Sequence, residues 1–88
     1  MTKRNEIGYD LLNLVETAKE YVPEISLVHA ETFLSMHSFE NSFEEIVEQL
    51  IDSDTAIPRQ LFERINGIGI YLEMKRNIWA SLESQTDV

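Results

Sequence analysis

Apolar residues fall at helical spacing along nearly the whole chain. In the first segment Ile7, Leu11, Leu14, Val15 and Ala18 recur three and four apart, which stacks them on one helix face. Pro23 ends that helix near Tyr21, because the residue before a proline avoids helical backbone. The same proline can open a second helix, where its missing N–H costs nothing. Ile25, Val28, Phe33 and Met36 mark the buried face of that helix, widened by Leu27, Ala30 and Leu34. Ser38 is the expected N-cap of a third helix, with Phe39, Phe43, Ile46, Val47, Leu50 and Ile51 as its apolar stripe. Ser42 and Glu45 also match a capping box, which would start the helix later. The earlier start is preferred because Phe39 and Phe43, four apart, can pack as a pair.

Asp52-Ser53-Asp54-Thr55 reads as a helix end and loop, with Thr55 capping a fourth helix and Pro58 in its first turn. That helix carries Leu61, Phe62, Ile65, Ile68 and Leu72. Gly67 and Gly69 fall inside it, each costing about 1 kcal/mol relative to alanine, and mark a bend or a close crossing. The alternation Ile68, Ile70, Leu72 hints at a strand, but nothing else in the chain offers it a partner. A last short helix around Asn77 to Glu83 would plant Ile78, Trp79 and Leu82 on the core, with the Trp79 N–H aimed at an acceptor. Residues 84–88 read as a frayed polar tail. The expected architecture is all-α: a compact bundle of four to five short helices in a single domain spanning 1–88.

Composition adds the absence of cysteine, which rules out disulfides and thiolate metal sites and fits a reducing compartment such as the cytoplasm. No apolar run reaches membrane-spanning length, and Glu6, Asp10 and Asn13 interrupt any secretory h-region after Lys3 and Arg4.

Charge changes the picture more. The net charge is −9, and it sits in the middle of the chain. From Glu20 to Pro58 there is no Lys or Arg against nine acids, whereas the rest holds seven acids and seven bases. A surface of one sign repels itself and attracts the other sign. A basic protein is the fitting partner; nucleic acid is the least fitting, because its phosphates would be repelled. On the third helix Glu40, Glu44, Glu48 and Asp52 are four apart in series, with Glu45 beside them, opposite the apolar stripe. Like charges at that spacing each destabilise a helix by about 0.2–0.5 kcal/mol. A helix built only for stability would carry lysine among them. The bland alternative is a solvated face on an acidic protein. Asp54 continues the row, and Glu24 and Glu31 form a second ring; all eight are expected to pair with Lys and Arg of a partner.

Other chemistry finds little support. His29 and His37 are eight apart, too far to chelate one ion on one helix, and are expected at the rim or partly buried. His29-Ala30-Glu31 lacks the P-C-x-x-C partner of zinc deaminases. Gly67-Ile68-Gly69 follows no strand and does not suggest nucleotide binding. Arg59, Arg64, Lys75 and Arg76 are expected to balance Glu63 and Glu73. No pair of carboxylates shows separated environments, so no enzymatic activity and no cofactor are expected.

The stretch "FENSFEEIVEQLIDSDTAIPRQLFERI", followed by a glycine-bearing segment and "IWASL", resembles the MafI-like immunity proteins of bacterial polymorphic toxin systems. It is similar, more loosely, to immunity proteins of contact-dependent growth inhibition. The matching positions are Phe43, Ile46, Leu50, Phe62, Ile65, Trp79 and Leu82, and the likeness spans about residues 25 to 83. It departs at His37-Ser38-Phe39, where relatives carry a glycine and an acid followed by alanine. The resemblance implies a cytosolic antitoxin that binds the C-terminal toxin domain of a large secreted protein. Such toxins are often nucleases, including RNases. A second reading of the residues stays open: an acidic nucleic-acid mimic or adaptor that regulates a DNA- or RNA-binding protein.

Overall fold

The computed structural model describes residues 4–87. Helix α1, Arg4–Ala18, buries Ile7, Leu11, Leu14, Val15 and Ala18, as their spacing predicts. It unwinds through turns that bond Glu20 N to Thr17 O and Tyr21 N to Ala18 O, and Pro23 follows in extended backbone.

Pro23 does open helical structure, but not one helix. A 3-10 turn, Glu24–Leu27, comes first, and α2 spans Val28–Ser35. The expected face is corrected, because the segment packs its other apolar stripe inward: Ile25, Val28 and Met36 stand in solvent, while Leu27 and Ala30 are fully buried and Leu34 packs against the core. Leu27, Ala30 and Leu34 are themselves three and four apart, so the rival stripe is present in the sequence.

Helix α3, Phe39–Ser53, starts where the Ser38 reading places it. Ser38 does not cap it through its side chain; its Oγ accepts a bond from Asn41 Nδ2 at 2.8 Å. Ser42, the alternative start, lies inside the helix. Its buried hydroxyl donates to the Ala30 carbonyl at 2.8 Å and ties α3 to α2. Phe39, Phe43, Ile46, Val47 and Leu50 are buried, and Ile51 packs at the edge.

Thr55 does not cap the next helix; it turns back on Ser53. Pro58 stands at the N-cap position, one residue outside α4, which spans Arg59–Tyr71. Both glycines lie within that continuous helix at negative φ. Leu61, Ile65 and Ile68 bury its inner side. The expected last helix is realised as two 3-10 turns, Arg76–Ile78 and Ala80–Gln85, separated by Trp79. Trp79 is buried, donates from Nε1 to Asn66 Oδ1 at 3.0 Å, and meets Phe43 edge-on with centroids 5.6 Å apart. A Cβ at Gly69 would overlap the six-membered ring of Trp79. The glycine makes a close crossing rather than a bend.

The expected frayed tail needs correction as far as Asp87. Gln85 Nε2 donates to the carbonyls of Leu50 and Thr55, each at 3.0 Å. Beyond it β2, Thr86–Asp87, pairs in parallel with β1, Ile57–Pro58. Val88 lies outside the described residues. This two-residue pairing leaves the class all-α, and one apolar core joins α1, α2, α3, α4 and the C-terminal turns.

The ends of α2, α3 and α4 do not use glycine. His37, Asp54 and Glu73 take left-handed backbone there, with φ of 57°, 52° and 59°. At α2 and α4 the bonds of a Schellman end are complete: Ser38 N to Phe33 O and His37 N to Leu34 O, Met74 N to Gly69 O and Glu73 N to Ile70 O. Left-handed backbone costs an L-residue about 1–2 kcal/mol. Replacing Glu73 with glycine should raise stability by roughly 1 kcal/mol in urea denaturation. The helical glycines should behave oppositely to each other. A methyl group placed on Gly67 would meet nothing within 4 Å, so Gly67→Ala should stabilise by about 1 kcal/mol. Gly69→Ala should destabilise by about 1–3 kcal/mol through collision with Trp79.

Candidate functional site

The apolar stripe of α3 faces the core, so the opposite side of the helix carries its acids into solvent. Glu44, Glu48 and Asp52 are exposed, and none has an ion pair among the described residues. Asp54 is exposed at the left-handed end of the helix. Glu40 is half-buried in the first turn, where the helix dipole favours a carboxylate. Glu44 and Glu48 also rim a notch of about 180 Å³ whose walls include Val47, Ile51 and Ile78.

Glu45 does not belong to this row. Its side chain is only 17% exposed; Oε2 lies 4.0 Å from His29 Nδ1, and Oε1 accepts a long bond from Gln49 Nε2 at 3.5 Å. The fold brings His29 of α2 beside it, which separates it from the solvent-facing acids.

The second ring, Glu24 and Glu31, is also placed differently from expectation. Both are drawn to Lys19, at 3.7 and 3.4 Å, and Lys19 bonds Glu16 at 3.0 Å as well. Lys19 lies one residue before the base-free stretch, and folding carries it back among those acids. The hydrogen bond to Glu16 raises the Lys19 ammonium above its ordinary pKa of 10.5; desolvation opposes it, and the hydrogen bond to Glu31 and the charges of both carboxylates add to the rise. The acidic surface thus has two parts: Glu44, Glu48 and Asp52 on α3, without an ion pair among the described residues, and a cluster in which three carboxylates share one ammonium.

Both histidines are exposed. Among the described residues no group of three or more His, Cys, Asp or Glu could hold a metal ion. Among the described residues the C-terminal bases do not pair as expected with Glu63 and Glu73. Arg59 reaches Glu83 at 3.3 Å and covers the Phe62 ring at 5.5 Å, while Arg64 donates to the Thr17 hydroxyl at 3.3 Å. Sequence reasoning misses Tyr9 and Leu12, large apolar residues of α1 that lie off its buried stripe and stand in solvent. The signal is their failure to fit the spacing of Ile7, Leu11, Leu14 and Val15. Among the described residues no helix is long and apolar enough to cross a membrane.

No family model matches the chain, and neither a curated protein nor a solved structure matches it.

Lys19 gives the acidic surface a pH signature. A group whose pKa is raised on folding stabilises the fold fully below its unfolded value and loses that contribution as pH climbs through the folded one. The stability difference between wild type and Lys19→Met should therefore stay constant from neutral pH up to about pH 10 and shrink above it, in denaturation series at several pH values. It should also shrink on adding salt.

Proposed function

We propose that this protein is an inhibitor that acts by binding: an immunity protein that lays the acids of α3 on the basic, nucleic-acid-holding surface of a nuclease toxin. The observation that carries this reading is the row Glu44, Glu48, Asp52, exposed and without an ion pair among the described residues. For the isolated protein such a row is a net cost, since each like-charged pair four apart destabilises the helix by about 0.2–0.5 kcal/mol. Against a surface that must hold phosphates, the same row is complementary. Carboxylates four apart advance about 6 Å along a helix axis, close to every second phosphate of one nucleic-acid strand at ~3.4 Å each. Charge of this kind steers encounter, to about 10⁸ M⁻¹s⁻¹ or faster at low salt, which suits a protein that must capture a toxin before it cuts. Asp54 extends the row and Glu40 begins it. Glu24 and Glu31 contribute to the field from a cluster that Lys19 compensates only in part, and Glu45 from a half-buried position. The resemblance to MafI-like immunity proteins supports the same reading, and names the partner as the toxin domain encoded by the upstream reading frame.

One substitution separates binding from folding. Glu48→Lys turns two repulsive spacings, to Glu44 and to Asp52, into attractive ones. It should raise stability by on the order of 1 kcal/mol. It should slow association with the co-expressed toxin about tenfold at low salt, by stopped-flow or surface binding kinetics. An association rate that is unchanged, with an unchanged salt slope, contradicts the acidic-row model.

A further inference from the structure

Away from α3 the surface is unusual in a different way. Among the described residues, five of the six exposed large apolar side chains, Tyr9, Leu12, Ile25, Val28 and Met36, lie on α1 or along the segment around α2. Between α1 and α2 runs a groove of about 700 Å³, with Tyr9 and Leu12 on one wall, Leu34 on the other and Phe39 at one end. Gly8 also lines it, beside the Phe39 ring. A concave apolar surface of this size is characteristic of a binding site.

Charge decides what fits there. Glu31 lines the groove, and Glu16 and Glu24 meet it at Lys19. Three carboxylates against one ammonium leave that end at −2. A second copy would bring an identical −2 cluster and a total charge of −9 against its own kind. An anionic lipid surface would be repelled in the same way. The complementary occupant is a helix of a basic protein, with apolar side chains on one face and Lys or Arg at the end that lies over Glu16 and Glu31. Two helices flanking an apolar trough are a common seat for such a helix.

We propose that the α1–α2 groove docks an amphipathic, basic helix of the partner, and so supplies the apolar anchors that the α3 row lacks. This rests on the reading of the protein as a binder of a basic protein. Charged rims chiefly set the rate of encounter, whereas buried apolar anchors slow dissociation.

The probe is a synthetic helical peptide of leucine and lysine, leucines on one face, titrated into the isotope-labelled full chain and followed by NMR. Shifts should gather at Tyr9, Leu12, Glu31, Leu34 and Ser35. A scrambled peptide of the same composition should bind at least tenfold more weakly, and so should the intended peptide to Leu12→Lys. Leu12 is nearly half exposed, so the substitution is expected to fold; Tyr9→Lys, at a site 70% exposed, provides a second variant. Shifts confined to 44–52, equal binding of the scrambled peptide, or no binding at all would overturn the proposal. So would a wild-type dimer in sedimentation that Leu12→Lys disperses, since the groove would then belong to a second copy. The toxin separates the two claims. Normal dissociation from Leu12→Lys with slow association to Glu48→Lys would overturn the groove alone. Fast dissociation from Leu12→Lys with unchanged association to Glu48→Lys would overturn the acidic row alone.

Discussion

The rotation of α3 about its own axis decides most of what this molecule presents to its surroundings. Phe39, Phe43, Ile46, Val47 and Leu50 are buried against α1, α2 and the C-terminal turns. Burying a side chain of this kind stabilises by about 1.5–3 kcal/mol. Repulsion between acids one turn apart costs far less, about 0.2–0.5 kcal/mol per pair. Burial therefore sets the orientation, and the charges follow. The Ser42 hydroxyl, bonded to the Ala30 carbonyl, pins the same rotation with a directional contact. With the stripe held inward, Glu44, Glu48 and Asp52 have only solvent or a partner to face.

The far side of the fold is locked by a second fit. Trp79 sits where Gly69 leaves space, bonds Asn66 on the same helix, and touches Phe43 on α3. One side chain thus joins α3, α4 and the C-terminal turns. Gln85 then closes the tail over the end of α3 through the Leu50 and Thr55 carbonyls. In a chain of 88 residues, where core area is scarce, such long-range ties matter more than in a larger domain. Glycine serves packing at Gly69, while His37, Asp54 and Glu73 take the left-handed helix ends.

How much is legible in the sequence follows from how local each determinant is. The stripe of α1, the start and stripe of α3, and Trp79 as an anchor with a satisfied N–H depend on spacing and side-chain type, and the structure agrees with them. The α2 face does not follow, because two apolar stripes at helical spacing lie on opposite sides of the segment and spacing alone does not choose between them. Adjacency in sequence assigns Glu45 to the outer row, but the fold brings His29 of α2 beside it. A window of sequence leaves Glu24 and Glu31 without a cation, and Lys19 enters that window only through the fold. The tail looks frayed locally because the contacts of Gln85 and Thr86 reach back about thirty residues. In each case a neighbour distant in sequence decides what the local pattern leaves open.

On the function proposed above, the α3 row stands in solvent in the free protein and is covered in the complex. Carbodiimide labelling of carboxylates, read by mass spectrometry on the free protein and on its purified complex with the toxin domain, tests it directly. Glu44, Glu48 and Asp52 should react readily in the free protein and be shielded in the complex. If all three react equally in both states while shielding falls on other carboxylates, the row does not form the contact.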